Sequence, residues 1–386
     1  MSICISEAMK LESFKNFKLL SGKNGLYNLI EKIGILDYEY ADDNKGKFEK
    51  GDFVISSFLF AKNDVNLFYQ AVKNLINEGV SGLGIKNIYF KEIPDEIIEY
   101  ASERSFPIFI FDSICFEDII TEVMNSIRAV DYYERIESKI DMIIKKNISK
   151  SLKRELAYEL NNLFKENIIT AYCRERKHKD NVNIMRLLKI SKDTELINEE
   201  TSFFKYKHGI IIISTCENAA DKRNLLITIE SIIRNVGITE CEYNIGISNY
   251  YLSLDELDKA INESLYAVRV SEISKNKTLF KDMGIYKVIV PFLNEIWLKD
   301  FCTNIISDLK SYDEKCNTEI FGTAVKYIEN QGNIKKTAKN LCQHENTIRY
   351  RINKMKEILG MEKLNGDFYE QLSFAIKINN LLKDIL

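Results

Sequence analysis

Near its C-terminus the chain has three helical patterns joined by connections so short that the helices must turn sharply on one another. Glu319–Asn330 has helical periodicity and is followed by Gly332, which tolerates a positive φ at a helix end. Asn333 can cap a second short helix, Ile334–Leu341, and the third, Asn346–Leu359, begins a few residues later. This arrangement limits the segment to a compact helical hairpin.

The apolar residues of this segment fit a steep helix crossing. Ala338 is the small residue needed where two helices touch, and Ile348 and Ile352 lie one turn apart on the third helix, where they can pack on the first two. Such spacing is typical of a helix-turn-helix, in which the third helix enters the major groove of DNA.

The charges of the segment agree with this prediction. Seven basic residues and one acid, Glu345, lie between Asn333 and Lys356, whereas the whole chain has a formal charge of −3. A local excess of positive charge favours contact with phosphates, although a solvated basic hairpin has the same composition. The polar face of the third helix carries Asn346, Tyr350, Asn353 and Lys354. We expect Arg351, close to the apolar stripe, to reach a phosphate or an internal carboxylate. The predicted DNA contacts are Asn333, Lys335, Lys336, Thr337, His344, Asn346, Thr347, Arg349, Tyr350, Arg351 and Lys354.

Gly332-Asn333, Thr337-Ala338 and the run from His344 to Ile352 resemble the C-terminal signature of the PucR/CdaR-type regulators, named for control of purine catabolism and sugar-diacid use. Glu345 and Gln343 depart from the pattern, which puts the operator preference in doubt. The resemblance implies a cytoplasmic, homo-oligomeric transcription regulator. It would bind double-stranded DNA and sense a small metabolite, for example one of purine catabolism.

The first 127 residues predict an effector-binding domain of βαβ type. Strand patterns at 53–58, 80–85 and 107–111 alternate with helical patterns at 65–76, 94–103 and 116–127, which indicates a largely parallel sheet. Gly22–Leu26, Phe48–Ser57 and Pro107-Ile108 resemble the N-terminal motifs of the same family. Ligands bind at the carboxyl ends of parallel strands, so Ser56 and Ser57, with Gly82, are the candidate effector residues.

Residues 128–180 are assigned to a helical connector. Apolar residues recur at helical spacing from Asp131 to Phe164 without proline or glycine, which predicts one or two long amphipathic helices. We expect their apolar stripe to pack on a second copy of the chain. The alternative is packing on the chain's own domains.

Residues 181–284 predict a second α/β domain, with strands at 184–190, 202–206, 209–214, 243–248 and 278–281 and helices at 219–236 and 254–273. Asn244–Ser248 and Ser264–Ala267 resemble the end of a GGDEF cyclase domain. The expected catalytic loop, Lys205–Ile211, has neither carboxylate of that family, and two-metal phosphoryl transfer needs carboxylates to hold Mg²⁺. We therefore expect a degenerate domain without cyclase activity.

The composition adds to these exclusions. The eight cysteines form no C-x-x-C pair and there are only three histidines, so we expect no metal site, no cofactor and no catalytic residue. Met1–Met9 shows no secretion signal, and no apolar run is long enough to span a membrane.

The fold class is thus multidomain α/β plus all-α. Residues 285–386 form a helical region whose helix-turn-helix core is 320–382, and Trp297 is expected in the core of a helix rather than on a stacking platform. Three functions stay open: a DNA-binding regulator, an effector-binding scaffold whose helical tail binds protein, or a residual nucleotide-binding protein.

Overall fold

The computed structural model describes residues 2–37, 48–145, 148–176, 182–193, 199–217, 222–363 and 365–383. The chain divides into two compact units, residues 1–136 and 137–386, and each is described separately. The predicted boundary at 180–181 and the predicted start of the helix at 219 lie outside the described residues.

The N-terminal unit alternates strands with helices, as predicted. Its strands are β1 Ile3–Cys4, β2 Lys18–Ser21, β3 Leu29–Ile30, β4 Lys32–Ile35, β5 Asp52–Ser56, β6 Gly82–Lys86 and β7 Ile108–Phe111. Its helices are α1 Ile5–Ala8, α2 Val65–Asn77, α3 Asp95–Glu103 and the start of α4 Phe116–Ile144.

One five-stranded sheet, in the order β2-β7-β6-β5-β4, organises this unit. Strands β4 to β7 pair in parallel and β2 pairs antiparallel with β7, so the sheet is largely parallel, as the sequence predicted. Every residue of β5 is buried because apolar clusters cover both faces of the sheet. Because β4 to β7 run parallel, their carboxyl ends lie at the same edge of the sheet.

The second unit contains α5 Lys150–Leu160, β8 Asn167–Glu175, α6 Val182–Asp193, β9 Thr201–Tyr206, β10 Gly209–Cys216, α7 Lys222–Asn235, β11 Tyr243–Ile247, α8 Leu257–Ser274 and β12 Thr278–Leu279. The strands form a sheet in the order β12-β11-β8-β10-β9. Strands β9 to β11, which the sequence predicted, lie in this sheet.

Two predictions for this region were wrong. The segment predicted as a strand at 184–190 is helix α6, in which Ile184, Leu187 and Leu188 are buried at helical spacing. Strand β8, the centre of the sheet, lies within the stretch assigned to the helical connector. Strand β8 is a short apolar run, which has no periodicity that distinguishes a buried strand from a helix, whereas the apolar residues of α6 recur at helical spacing and favoured the helix that is observed.

The predicted connector helices are present as α4 and α5, and part of their apolar stripe is buried. Ile136, Ile140, Ile143 and Leu156 are buried within this single chain. These four residues therefore pack on other residues of the same chain, which is the alternative considered from the sequence.

The rest of the second unit is helical, as predicted: α9 Tyr286–Ile289, α10 Ile296–Cys316, α11 Ile320–Glu329, α12 Ile334–Asn340, α13 Glu345–Ile358 and α14 Asn365–Lys383. These helices share one apolar cluster with Ala267 and Val270 of α8. Trp297, expected in a helix core, is 78% exposed, so that expectation was wrong.

Candidate nucleic-acid interface

Helix α12 begins at a tight turn that its sequence dictates. Gly332 has a φ of 77°, and a Cβ at this position would lie 3.1 Å from Cε2 of Tyr369 on α14. The next residue, Asn333, caps α12: its Oδ1 accepts a hydrogen bond from the Lys336 backbone N–H at 3.0 Å. The turn and the cap together fix where α12 starts.

A second turn separates α12 from α13. Cys342 has a φ of 52°, and the His344 Nδ1 accepts a hydrogen bond from the Asn346 backbone N–H at 3.1 Å. His344 therefore acts as the N-cap of α13, a role that its place among the predicted DNA contacts did not anticipate. The two helices are separate elements rather than one continuous rod.

The apolar side of α13 packs inward as predicted. Ala338 of α12 is 4% exposed, and Ile348, Ile352 and Met355 of α13 are buried in the cluster shared by the C-terminal helices. Because these side chains hold one face of α13 against α11 and α12, the opposite face is presented to solvent in a fixed orientation.

That opposite face carries four polar side chains at helical spacing. Asn346, Arg349, Tyr350 and Asn353 are all exposed, and Tyr350 is 66% exposed. Asn353 was assigned to this face but left out of the predicted contacts. Amide, guanidinium and phenol groups in such a row can donate and accept hydrogen bonds at the edges of bases.

Two other predicted contacts, Thr337 and Arg351, have protein partners. Thr337 is buried and donates a hydrogen bond to the Asn333 carbonyl at 2.8 Å, so it stabilises α12 and does not face outward. Arg351 donates from Nη1 to the Thr323 Oγ1 of α11 at 2.7 Å, a hydroxyl rather than the expected phosphate or carboxylate.

Lys354 lies at the margin of the exposed face. Its Nζ is 2.9 Å from the Glu357 Oε2 and 5.5 Å from the centre of the Tyr312 ring. The hydrogen bond to Glu357 raises the pKa of Lys354 above its ordinary value. Lys354 is therefore charged at neutral pH, but its side chain is held toward protein groups.

The start of α12 provides the positive charge expected for phosphate contact. Asn333, Lys335, Lys336 and Lys339 are exposed on this short helix, whereas Thr347 of α13 is half-buried. The structure thus brings an exposed polar row and a group of lysines together on consecutive helices. In helix-turn-helix proteins one such helix contacts the bases of DNA, and the other contacts its phosphates.

The candidate effector residues of the N-terminal unit are only partly brought together. Ser57 donates from its backbone N and its Oγ to the Asp37 Oδ1, at 2.8 and 2.9 Å, and Ser56 donates to the Leu36 carbonyl. Both serines are buried at the carboxyl edge of the sheet. They fix the ends of β4 and β5 to each other.

Gly82 does not belong to this group. It begins β6, pairs with Phe53, and so lies at the opposite edge of the sheet. A Cβ there would lie 3.0 Å from Cδ1 of Ile5 and from Cε2 of Phe53, so close packing explains the glycine.

Sequence reasoning missed the polar residues that end β6. Lys86 is the last residue of this strand and Asn87 follows it, at the same edge as Ser57. The Asn87 Oδ1 is buried and has no hydrogen-bond partner among the described residues. An unpaired buried acceptor is costly, which marks this position as one that a ligand or water would satisfy.

The second unit has a tight hairpin at the segment that the sequence comparison with cyclases singled out, Lys205–Ile211. Strands β9 and β10 are joined through Lys207 and His208, and Lys207 has a φ of 50°. Tyr206 is buried and donates a hydrogen bond to the Asp141 Oδ1 of α4 at 2.7 Å. The hairpin holds neither carboxylate that metal-dependent phosphoryl transfer requires.

Two further features concern the described part of the chain. Its helices include none with the length and apolarity needed to cross a bilayer. No three of its His, Cys, Asp and Glu side chains are grouped so as to hold a metal ion.

An N-terminal and a C-terminal segment of the chain each match a known protein family. Residues 7–127 match the purine catabolism regulatory protein-like family, and residues 321–378 match the PucR C-terminal helix-turn-helix domain. The second match includes α12 and α13 and most of α14. The C-terminal and N-terminal resemblances noted in the sequence are therefore confirmed.

Two curated relatives come from Bacillus subtilis (strain 168). The proline-responsive transcriptional activator PutR is 29% identical over 122 residues, which is 31% of this chain and 30% of that protein. The purine catabolism regulatory protein is 30% identical over 105 residues, which is 27% of this chain and 19% of that protein. The matched region thus spans less than a third of either relative.

Among solved structures, the chain is similar to the regulator of polyketide synthase expression from Bifidobacterium adolescentis. The sequence identity is 14% and the TM-score is 0.27, over 64% of this chain and 98% of that one.

Proposed function

Because the chain carries an N-terminal domain of the PucR family and a C-terminal PucR helix-turn-helix domain, we propose that it is a transcription regulator that binds double-stranded DNA through α13. One observation carries the proposal: Asn346, Arg349, Tyr350 and Asn353 form an exposed polar row on a helix whose opposite side is buried. The polar row enters the major groove, and the lysines of α12 contact phosphates.

The chemistry of the row suggests how bases are read. An asparagine amide pairs with adenine N6 and N7, and an arginine guanidinium pairs with guanine O6 and N7. Asn346 and Arg349 lie one turn apart near the start of α13, where recognition helices contact base edges. Glu345, at the first position of the helix, adds an acceptor suited to the cytosine amino group.

The experiment uses the full chain and fragments of genomic DNA that it retains, followed by anisotropy titrations on one retained fragment. Asn346→Ala and Arg349→Ala should each weaken binding by about 5- to 150-fold, equivalent to about 1–3 kcal/mol per lost base contact. Arg104→Ala, which removes an exposed arginine from the N-terminal unit, is the control and should bind as the parent does. Unaltered affinity in both α13 variants would reject the assignment.

The proposal extends to a sensor in the N-terminal unit. The effector site is the carboxyl edge of β4 to β7, where the buried Asn87 Oδ1 has no donor within the described ranges and Lys86 offers a positive charge. Since one relative is named as proline-responsive and the other as a regulator of purine catabolism, the effector is a small nitrogen-containing metabolite of a catabolic pathway. The genes controlled would be catabolic, and the protein would act in the cytoplasm.

Thermal unfolding in the presence of amino acids and purine catabolites tests the sensor. A true effector should raise the midpoint in a concentration-dependent way, since it binds only the folded state. Asn87→Leu should abolish the shift and leave DNA affinity without effector unchanged. A shift of full size in that variant would place the site elsewhere.

The middle region is proposed to be a degenerate cyclase-like domain without catalysis. The hairpin between β9 and β10 has a lysine and a histidine where cyclases hold metal-binding carboxylates. One relative is named as a transcriptional activator and the other as a regulatory protein. Incubation with GTP and Mg²⁺ should therefore give no cyclic product.

A further inference from the structure

The second unit contains a cavity at the carboxyl end of its central strand, β8. The cavity has a volume of about 510 Å³, which is within the range of cavities that bind small molecules. Its walls come from α6, from the residues that follow α7, and from the adjoining ends of β8 and β11. The segments that match known families, 7–127 and 321–378, do not include these residues.

One wall of the cavity carries a carboxylate in a fixed position. Glu175, the last residue of β8, pairs with Tyr243, the first residue of β11, and the Tyr243 hydroxyl donates a hydrogen bond to the Glu175 Oε1 at 3.1 Å. Burial and the neighbouring Glu175 carboxylate raise the pKa of Tyr243 above its ordinary value, so the hydroxyl stays protonated and keeps donating. The second carboxylate oxygen of Glu175 remains available to a ligand.

Two arginines on the walls differ in what they contact. Arg176 donates from Nε to the Tyr243 carbonyl at 3.3 Å and from Nη2 to the Lys275 carbonyl at 2.7 Å, so it holds the chain after β8 in place. Arg186 of α6 is exposed and makes no hydrogen bond or ion pair within the described ranges. Its guanidinium group is therefore able to bind an anionic group of a ligand.

The combination of groups indicates the chemistry of the ligand. Two acids, Glu175 and Glu242, and two arginines line the cavity, so a simple anion or a simple cation would meet charges of its own sign. A ligand with one positive and one negative group would satisfy both kinds of wall. Leu187 and Val236 add buried apolar surface. A metal ion is a poor fit, because no group of three ligating side chains occurs in the described part of the chain.

We propose that this cavity binds an amino acid with an apolar side chain. Its carboxylate pairs with Arg186, its ammonium group pairs with Glu175, and its side chain contacts Leu187 and Val236. The site belongs to the second unit and is separate from the effector site proposed at the carboxyl edge of β4 to β7. It is also independent of the proposed DNA binding.

A cysteine provides a reporter inside the cavity. Cys241 lines it and is exposed, and Cys342, exposed in the turn before α13, is the internal control. The full chain is treated with iodoacetamide at increasing concentrations of leucine, isoleucine, valine or methionine, and mass spectrometry of its peptides gives the alkylation rate of each thiol. We expect a saturable loss of Cys241 alkylation with at least one amino acid, and an unchanged rate for Cys342.

Half-ligands test the requirement for two charges. Isocaproate lacks the ammonium group of leucine and isoamylamine lacks its carboxylate, so each leaves one charged wall without a partner and should not protect Cys241. GTP with Mg²⁺ should not protect it either, because its phosphates would meet the two glutamates. Protection by isocaproate, isoamylamine or GTP that equals protection by the amino acids would reject the proposed ligand class.

Charge-neutral variants test the proposed contacts. Arg186→Gln and Glu175→Gln should each weaken binding of the protecting amino acid about 10- to 100-fold, the effect of losing one charged hydrogen bond. Glutamine at position 175 still accepts the hydrogen bond from Tyr243. Lys189→Gln alters an exposed residue of the same helix, α6, outside the cavity and should bind as the parent does. Circular dichroism verifies that each variant is folded.

The inference and the proposed N-terminal sensor can fail separately. Asn87→Leu, which alters the N-terminal site, should leave the protection of Cys241 intact. Loss of protection in that variant would overturn the inference, because the amino acid would then act through the other unit. Full protection in Arg186→Gln, absence of protection by all four amino acids, or a Cys241 that resists alkylation without ligand would overturn it as well.

Discussion

Arg349 and Arg351 are two residues apart on α13, yet their surroundings differ. Arg349 is exposed in the polar row, whereas Arg351 is half-buried and donates a hydrogen bond to Thr323 of α11. A charged donor bound to a hydroxyl ties α13 to α11 and helps to set the angle at which the polar row is presented. The two arginines should therefore serve different ends, base contact for Arg349 and positioning for Arg351.

Substitution by methionine, which keeps most of the apolar stem, separates these roles. Arg351→Met should lower the free energy of unfolding by about 1.5 kcal/mol, the worth of a charged hydrogen bond, and change DNA affinity by less than about 3-fold. Arg349→Met should leave the stability within about 0.5 kcal/mol and weaken DNA binding by about 5- to 150-fold. Urea unfolding and anisotropy titrations measure the two quantities. The same affinity loss in both variants would show that Arg351 also contacts DNA.

At the scale of the element, the turn before α12 decides whether the hairpin can form. Gly332 has a left-handed backbone conformation, which residues with a side chain rarely adopt. A Cβ atom added at this residue would also lie close to the Tyr369 ring of α14. Gly322, in the first turn of α11, has open space around the corresponding position. The chain thus offers two glycines in neighbouring elements for which the same substitution has opposite physical consequences.

Gly332→Ala should lower the free energy of unfolding by about 1–2 kcal/mol, because alanine resists a φ of 77°. Gly322→Ala should raise it by about 0.5–1 kcal/mol, since alanine loses less backbone entropy in a helix. Chemical denaturation of the two variants beside the parent protein gives both values. If Gly332→Ala were neutral, the tight turn would not be a determinant of the hairpin.

The accuracy of prediction from sequence differed between elements for physical reasons. The C-terminal helices were located because caps, glycines and apolar spacing all indicated the same boundaries, as at Asn333 and Gly332. Strand β8 was misassigned because a continuous apolar run lacks a diagnostic period, whereas α6 was predicted as a strand although its apolar residues recur at helical spacing. The partners of Arg351 and Ser57 depend on residues distant in sequence, so spacing could not show them.

At the scale of the whole molecule, the charge is divided unevenly. The chain carries a formal charge of −3 and the segment from Asn333 to Lys356 carries +6, so the remainder carries −9. Such a remainder is repelled by DNA, and attraction is confined to the helix-turn-helix. The three lysines of α12 are exposed and carry the same charge. The number of them that contact phosphates can therefore be obtained from the dependence of DNA affinity on salt concentration.

Replacing Lys335, Lys336 and Lys339 one at a time by glutamine should weaken binding to matched and unrelated DNA by the same factor, since phosphates carry no sequence. For each lysine that contacts a phosphate, the slope of log affinity against log salt should become shallower by about 0.9. Lys91→Gln removes an exposed lysine from the N-terminal unit and is the control, with an unchanged slope. Titrations of each variant over a series of salt concentrations give the slopes. A slope that stays constant in all three α12 variants would mean that phosphates are contacted by other residues. A loss confined to matched DNA would instead assign these lysines to base recognition.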